Sequence, residues 1–215
     1  MAAPTEQKKV SRIKEKKKLW YRILAPALFA QKELGESYLD TPLSAMGRTL
    51  KVNLKDLTGN MKDQNVYVKF RIVAVEGQTL RTKTLGFEYT VMHIKRLARK
   101  NVDRLDDTFT FTTKEGLSVI VKTLLVTLHK TQRSLQAKLR GILHQDLEEE
   151  FAKSDFDTFV SNLVSQRTIG SIRKKLTKLY PLKDVIVRVV LLKDQQETNT
   201  PVQAQEQPLK EVQSA

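Results

Sequence analysis

Apolar and polar residues first alternate clearly at Leu50, Val52 and Leu54, the period-two mark of a half-buried strand. Thr58-Gly59-Asn60 turns the chain, and Val66, Val68, Phe70, Ile72 and Ala74 then alternate over a longer run closing at Glu76-Gly77-Gln78. A third strand, Thr79 to Phe87, returns at once, which predicts a β-hairpin. Next comes a helix over 91–100, with Thr90 at its N-cap and Val91, Ile94, Leu97 and Ala98 along one face. Strands resume at Arg104–Thr112 and Leu117–Leu128 around a Lys114-Glu115-Gly116 turn. The second of these is so rich in Val, Ile, Leu and Thr that it is expected to be central and buried on much of both faces.

After His129 the period lengthens. Leu135, Leu139, Ile142, Leu143, Leu147 and Phe151 recur at helical spacing, predicting one long helix. A second, capped by Ser154 or Asp155, turns Phe156, Phe159, Val160 and Leu163 inward. A third carries Ile169, Ile172, Leu176 and Leu179 and stops at Tyr180-Pro181, because proline disfavours helix in the residue before it. Val185–Leu192 reads as a last strand. Residues 19–46, punctuated by Pro26, Gly35 and Pro42, show no sustained period and are expected to be irregular.

This order predicts one α+β domain over residues 19–192: an antiparallel, barrel-like sheet, one inserted helix, three C-terminal helices and a returning last strand. Residues 1–18 read as a basic arm. Residues 193–215, rich in Gln, Glu, Thr and Pro, cannot bury a core and are expected to be disordered.

Charge changes the picture more than any motif does. The 215 residues carry 38 Lys and Arg against 24 acids, a formal charge of +14. Such an excess speaks about partners: nucleic acid, an anionic membrane or an acidic protein. Cysteine is absent, so there is no disulfide, no thiolate nucleophile and no Cys-ligated zinc. No apolar run approaches the ~18 residues of a membrane span, and no signal-peptide core follows the N-terminal lysines. A soluble intracellular protein is expected.

A catalytic constellation cannot be assembled. His93, His129 and His144 fall on different elements without metal-ligand spacing, and read as surface or packing residues. Asp106-Asp107 and Glu148-Glu149-Glu150 are adjacent acids of the kind usually solvated. No phosphate-binding loop or GxGxxG is present. Ile169-Gly170-Ser171-Ile172 starts like the GXXG clamp of KH modules, but Ile172 and Arg173 stand where the second glycine belongs. No enzyme, metal or cofactor is expected.

The cations suggest a polyanion. The arm supplies Lys8, Lys9, Arg12, Lys14, Lys16, Lys17 and Lys18 and runs into Trp20, Tyr21 and Arg22, whose rings are candidates for stacking on unpaired bases. Arg96, Arg99 and Lys100 share an arc opposite the apolar face of the predicted 91–100 helix. Arg133 and Arg140 lie in line on the long helix, with Lys130 just before it; Arg167, Lys174 and Lys178 face away from the apolar stripe of the third. Any one of these could be a solvated face. Together they favour phosphate contacts, with RNA preferred because no DNA-groove-reading pattern is present.

Three blocks carry a family resemblance. Lys17-Lys18-Leu19-Trp20-Tyr21 with Leu24-Ala25-Pro26 and Phe29 is the first. Gly47-Arg48 with Val52-Asn53-Leu54-Lys55-Asp56-Leu57-Thr58-Gly59 is the second, and Ile169-Gly170 through Ile172 with Tyr180-Pro181-Leu182 and Val185-Ile186-Val187-Arg188 is the third. In order and at compatible spacing, these resemble the small-subunit ribosomal protein of archaea and eukaryotes called eukaryotic-type protein one, or three-a, and look closer to its archaeal form. The resemblance spans about Lys16 to Leu192.

It implies a non-enzymatic constituent of the small ribosomal subunit, cytoplasmic, with one copy per ribosome. Such a protein binds small-subunit rRNA on the platform beside other platform proteins, near the messenger RNA exit, and has no membrane contact. Arg48 joins the RNA-binding candidates through the second block. Two departures stand out: Val91-Met92 replaces a charged pair, and an arginine-dense segment is thinned to Leu128-His129-Lys130, which implies fewer contacts around Lys130–Arg140 than in the arm. The competing expectation is a free-standing RNA-binding regulator outside the ribosome. An RNA-modifying enzyme would require Asp106, Asp107 and a histidine to meet around a metal.

Overall fold

A computed structural model describes residues 17–193; the arm lysines before Lys17, with Arg12, and the tail after Lys193 lie outside the described residues. Within the described residues eight strands form one sheet: β1 (Leu19–Leu24), β2 (Glu33–Leu39), β3 (Thr49–Asn53), β4 (Val66–Glu76), β5 (Thr79–Tyr89), β6 (Arg104–Thr112), β7 (Ser118–Thr127) and β8 (Leu182–Leu192). Among the described residues five α-helices accompany them: α1 (Leu54–Thr58), α2 (Val91–Leu97), α3 (Arg133–Lys153), α4 (Phe156–Val164) and α5 (Arg167–Thr177). The class is the α+β one expected, with three helices before a returning last strand. The sheet is mixed and does not close.

β5 explains why. One of its edges is taken by β4 along its length. Its other edge is divided: Thr79–Arg81 receive β1 in parallel, while Gly86–Glu88 receive β8 antiparallel. The sheet therefore forks, one branch running β1-β2 and the other β8-β7-β6, with β3 beyond β4. The fork needs a residue without a side chain. A Cβ on Gly86 would run into the Val190 carbonyl oxygen and come within 2.9 Å of Leu191 Cδ2.

Residues 19–46 depart from expectation: they hold two strands, paired from Leu19↔Leu39 to Leu24↔Glu33. Tyr21 and Ile23 do alternate inward, but Leu19 and Trp20 are apolar and exposed, so the period-two pattern is hidden in the sequence. Farther along, the β4–β5 hairpin and the central β7 stand as predicted, β7 lying between β6 and β8. Asn53 caps α1 by accepting the Lys55 amide at 3.0 Å, and Gly59 closes it at φ 76°, the left-handed conformation that glycine adopts without penalty.

α3, α4 and α5 cover one face of the sheet. Leu139, Leu143, Leu147 and Phe151 of α3 and Phe156, Phe159, Val160 and Leu163 of α4 are buried, as their spacing predicts. Phe151 stacks on Phe111 of β6 at 5.1 Å and meets Phe159 at 4.0 Å between ring centroids. On α5, Ile172 and Leu176 are buried with Thr168, whereas Leu179 falls beyond the helix and is exposed. α2 packs Ile94 on Leu124 and Val126, while their neighbour Leu125 belongs to the main core. Successive strand residues face opposite ways, so α2 covers the opposite side from α3–α5. A smaller core of Tyr21, Ile23, Leu39, Ala45, Ile72 and Leu80 fills the β1-β2 branch.

Candidate nucleic-acid interface

Strand β1 sorts its residues by parity. Tyr21 is buried in the smaller core, so it presents no ring face to solvent, contrary to its candidacy for base stacking. Trp20 points the other way and is 61% exposed. Its cross-strand partner is Tyr38 of β2, with ring centroids 4.9 Å apart and planes tilted by 36°. Lys18 lies over the Tyr38 ring with Nζ 5.7 Å from its centroid, a cation–π contact. Arg22, two residues from Trp20 and on the same face, stands 3.9 Å from Glu33.

Helical cations are distributed less neatly than their spacing suggests. α2 ends at Leu97, and Ala98 leaves the helix with ψ 103°, so Arg99 and Lys100 lie past its end and share no helical arc with Arg96. Lys183 from β8 donates to the Leu97 carbonyl at 2.8 Å, satisfying the end of that helix. All three cations, Arg96, Arg99 and Lys100, are nonetheless exposed. Arg140 is engaged within the fold, 3.0 Å from the half-sheltered Asp107 of β6. Lys130, Arg133, Arg167, Lys174, Lys178 and Arg48 are exposed, and among the described residues none has a carboxylate within ion-pair distance. Their neighbours on α5 are not available: Arg173 donates to the Lys183 carbonyl at 2.8 Å, and Lys175 grips the buried Asp146 of α3 at 2.6 Å.

The structure also assembles cations whose grouping is not visible in sequence order. On the outward face, Lys51 of β3 pairs across to Lys69 of β4, and Arg71 of β4 pairs across to Lys83 of β5. Like charges this close repel. Glu88 answers part of it, receiving Lys69 at 3.0 Å and Lys51 at 3.3 Å. Burial pushes the Glu88 carboxyl up, but the two lysine hydrogen bonds and charges outweigh it and hold the group below the usual glutamate value. Lys51 also lies 4.8 Å over the Tyr67 ring. Register alone could have revealed this row, and register is not written locally in a strand.

The α3 end of the sheet is fixed by Asp103. Its Oδ2 accepts the Thr131 amide at 2.6 Å, the Thr131 hydroxyl at 2.9 Å and Gln136 Nε2 at 3.0 Å. These bonds, the Thr131 amide first, depress its carboxyl below the usual aspartate value. They set the loop that presents Lys130 and Arg133.

The acids and histidines meet elsewhere. Asp106 pairs with Arg104 at 2.7 Å. His144 lies against Phe109 and Phe111 and is 3.5 Å from Glu148. His93 stacks on Tyr89 beside a cavity of about 310 Å³ that opens between the end of β5 and α5 and is also lined by Arg173 and Asp184. Burial, then the nearby charges of Asp184 and Asp63, push the Tyr89 phenol up to about 12. Among the described residues no group of three or more potential ligands could hold a metal ion, and no helix is long and apolar enough to cross a membrane.

Comparison with known proteins agrees with the three blocks. The model of the ribosomal S3Ae family matches residues 6–195. The chain is 29% identical over 206 residues to small ribosomal subunit protein eS1 of Archaeoglobus fulgidus, covering 94% of this chain and 95% of that protein. It is 32% identical over 170 residues to small ribosomal subunit protein eS1 of Saccharolobus islandicus, covering 79% of this chain and 82% of that one. Both relatives are archaeal.

Proposed function

The chain belongs to the ribosomal S3Ae family, and from that premise we propose that it binds small-subunit rRNA on the platform of the small ribosomal subunit, near the messenger exit. Its role is that of a structural, non-enzymatic constituent of the cytoplasmic ribosome. It supports translation by holding RNA in place, beside neighbouring platform proteins and close to messenger RNA, as a single copy.

The observation that best supports RNA binding is a set of exposed cations with no carboxylate partner among the described residues: Arg48 before β3, Arg133 on α3, and Arg167, Lys174 and Lys178 along α5 and its end. Exposed cations that no neighbouring carboxylate neutralises have phosphate as their natural complement. Each phosphate engaged releases counterions, so affinity falls steeply with salt. Arginine adds bidentate geometry to a phosphate that lysine cannot match. Residues 1–18 extend this chemistry as a basic arm, with Lys8, Lys9, Arg12, Lys14, Lys16, Lys17 and Lys18, ahead of one rRNA-binding domain over residues 19–192. Arg96 in the last turn of α2 and Arg99, Lys100 and Lys130 in the loops add contacts; Arg140 contributes chiefly by holding α3 to β6.

Sedimentation of the tagged chain through sucrose tests the assignment. It is expected in the small-subunit fractions, near one copy per subunit, with protein–RNA crosslinks from the arm and α5 mapping to small-subunit rRNA. Recovery only in ribosome-free fractions would refute it.

A further inference from the structure

The outward side of the sheet is covered by α2 over β7, but among the described residues no helix covers the half built from β2, β1, β5, β4 and β3. Its surface has two parts that belong together chemically. At one end stands the Trp20–Tyr38 pair, both rings more than half exposed. Across the adjoining strands run Arg81 and Lys83 of β5, Arg71 and Lys69 of β4 and Lys51 of β3. Register places them on one side: Arg22 pairs with Thr79 and Leu24 with Arg81, while the intervening Ile23 and Leu80 are both buried. Part of this charge is already met, since Arg81 pairs with Glu76 at 2.8 Å, Glu88 holds Lys51 and Lys69, and Arg71 is engaged as well. Cations remain in excess.

We infer that this bare half-sheet is a platform for unpaired RNA, with a nucleobase stacking on the Trp20–Tyr38 pair and the backbone crossing toward Lys83 and Lys69. The inference rests on the RNA-binding reading above and narrows it to single strands. A duplex buries the faces of its bases and offers phosphates and sugar hydroxyls alone, so it has no use for two exposed rings. An unpaired base presents a π-face that every exposed aromatic can meet, whatever the sequence. Five strands at ordinary spacing give a crossing of about 19 Å, enough for a short run of nucleotides. A protein partner fits less well, because the cations lie in the middle of the face, where protein interfaces are depleted of charge.

Trp20 is the chain's single tryptophan, so its emission reports on this face alone. The intact chain is titrated with oligouridylate, with oligoadenylate, and with a blunt RNA duplex of equal length. Trp20 emission and the anisotropy of end-labelled RNA are read in parallel. Single strands are expected to quench Trp20, and the duplex to bind in a salt-sensitive manner without quenching. Trp20→Ala should weaken single-strand binding roughly 5- to 150-fold by anisotropy, and Trp20→Phe should restore most of it. The side chain is exposed, so the urea midpoint of Trp20→Ala should match that of the parent.

Single-strand binding with unchanged emission, and equal affinity for Trp20→Ala, would overturn the platform while leaving rRNA binding intact. Emission already shielded from acrylamide in the free chain, or altered by stripped small-subunit proteins and not by RNA, would overturn it in favour of a different occupant. Failure of every RNA to bind at low salt would remove the RNA-binding reading as well.

Discussion

Replacing Gly86 with alanine tests the fork in the sheet directly. Two effects oppose each other. Alanine restricts the unfolded chain more than glycine does, which alone would stabilise the fold by about 0.4–1 kcal/mol. Against this, the new methyl meets the Val190 carbonyl oxygen and Leu191 Cδ2, the latter at 2.9 Å. The leucine side chain can rotate away. The carbonyl cannot, because β8 is held on its far side by β7, through Val121↔Val190 and Ile120↔Leu191. Overpacking of this kind costs about 1–3 kcal/mol, and a backbone obstacle places the cost toward the upper end, so the net change is a loss of roughly 2 kcal/mol. With a urea slope of about 2 kcal/mol/M, the midpoint should fall by about 1 M. Gly141 is the matched control: it lies within α3, and a methyl added there would meet nothing within 4 Å. At that position alanine should raise stability by about 0.5–1 kcal/mol. Equilibrium urea denaturation followed by circular dichroism measures both. A Gly86→Ala midpoint equal to or above that of the parent would refute the close approach of β5 and β8.

Phe151→Ala, which removes a ring packed between Phe111 and Phe159, should cost about 3–5 kcal/mol in the same denaturation assay. Asp103 has a folded pKa below its unfolded one, so its contribution is present at neutral pH and lost as pH falls through the folded value; Asp103→Asn should flatten the acid limb of the stability–pH curve. Tyr89 has the opposite sign: raised to about 12, it contributes below pH about 10 and loses that contribution as pH approaches 12. Tyr89→Phe should therefore weaken the alkaline loss of stability, read by thermal melts across that range. Charge reversal at Arg167 and Lys174 should leave stability nearly unchanged and reduce the salt slope of RNA binding by about 0.7–0.9 for each phosphate no longer neutralised.

What the sequence discloses follows from how local each signal is. The α3 stripe from Leu135 to Phe151 and the β4–β5 hairpin depend on spacing within one segment, and both are readable there. β1 is not, because exposed Trp20, on the face opposite Tyr21 and Ile23, fills a position where a half-buried strand normally turns polar. Helix ends mislead in the same way: residues 91–100 look helical throughout, yet Ala98 leaves the helix and moves Arg99 and Lys100 off the expected arc. Choosing Trp20 over Tyr21 as the outward ring requires the strand's parity, which only its pairing with β2 reveals. The cationic row across β3, β4 and β5 is likewise a property of register, and Tyr38 acquires its importance solely by lying opposite Trp20.

The divided edge of β5 has a consequence for how the chain is made. Gly86 emerges from a translating ribosome long before Leu191, its partner in β8. Until that last strand arrives, half of the edge stays open, and the β7 and α3–α5 apolar surfaces have no completed sheet to cover. The β1-β2 branch meets β5 only as far as Thr82, whose hydroxyl donates to the Leu24 carbonyl, and can dock early. A nascent chain would thus carry its aromatic end assembled while its helical end awaits closure, leaving a window in which an escorting factor would protect the second half and have no need to touch the first.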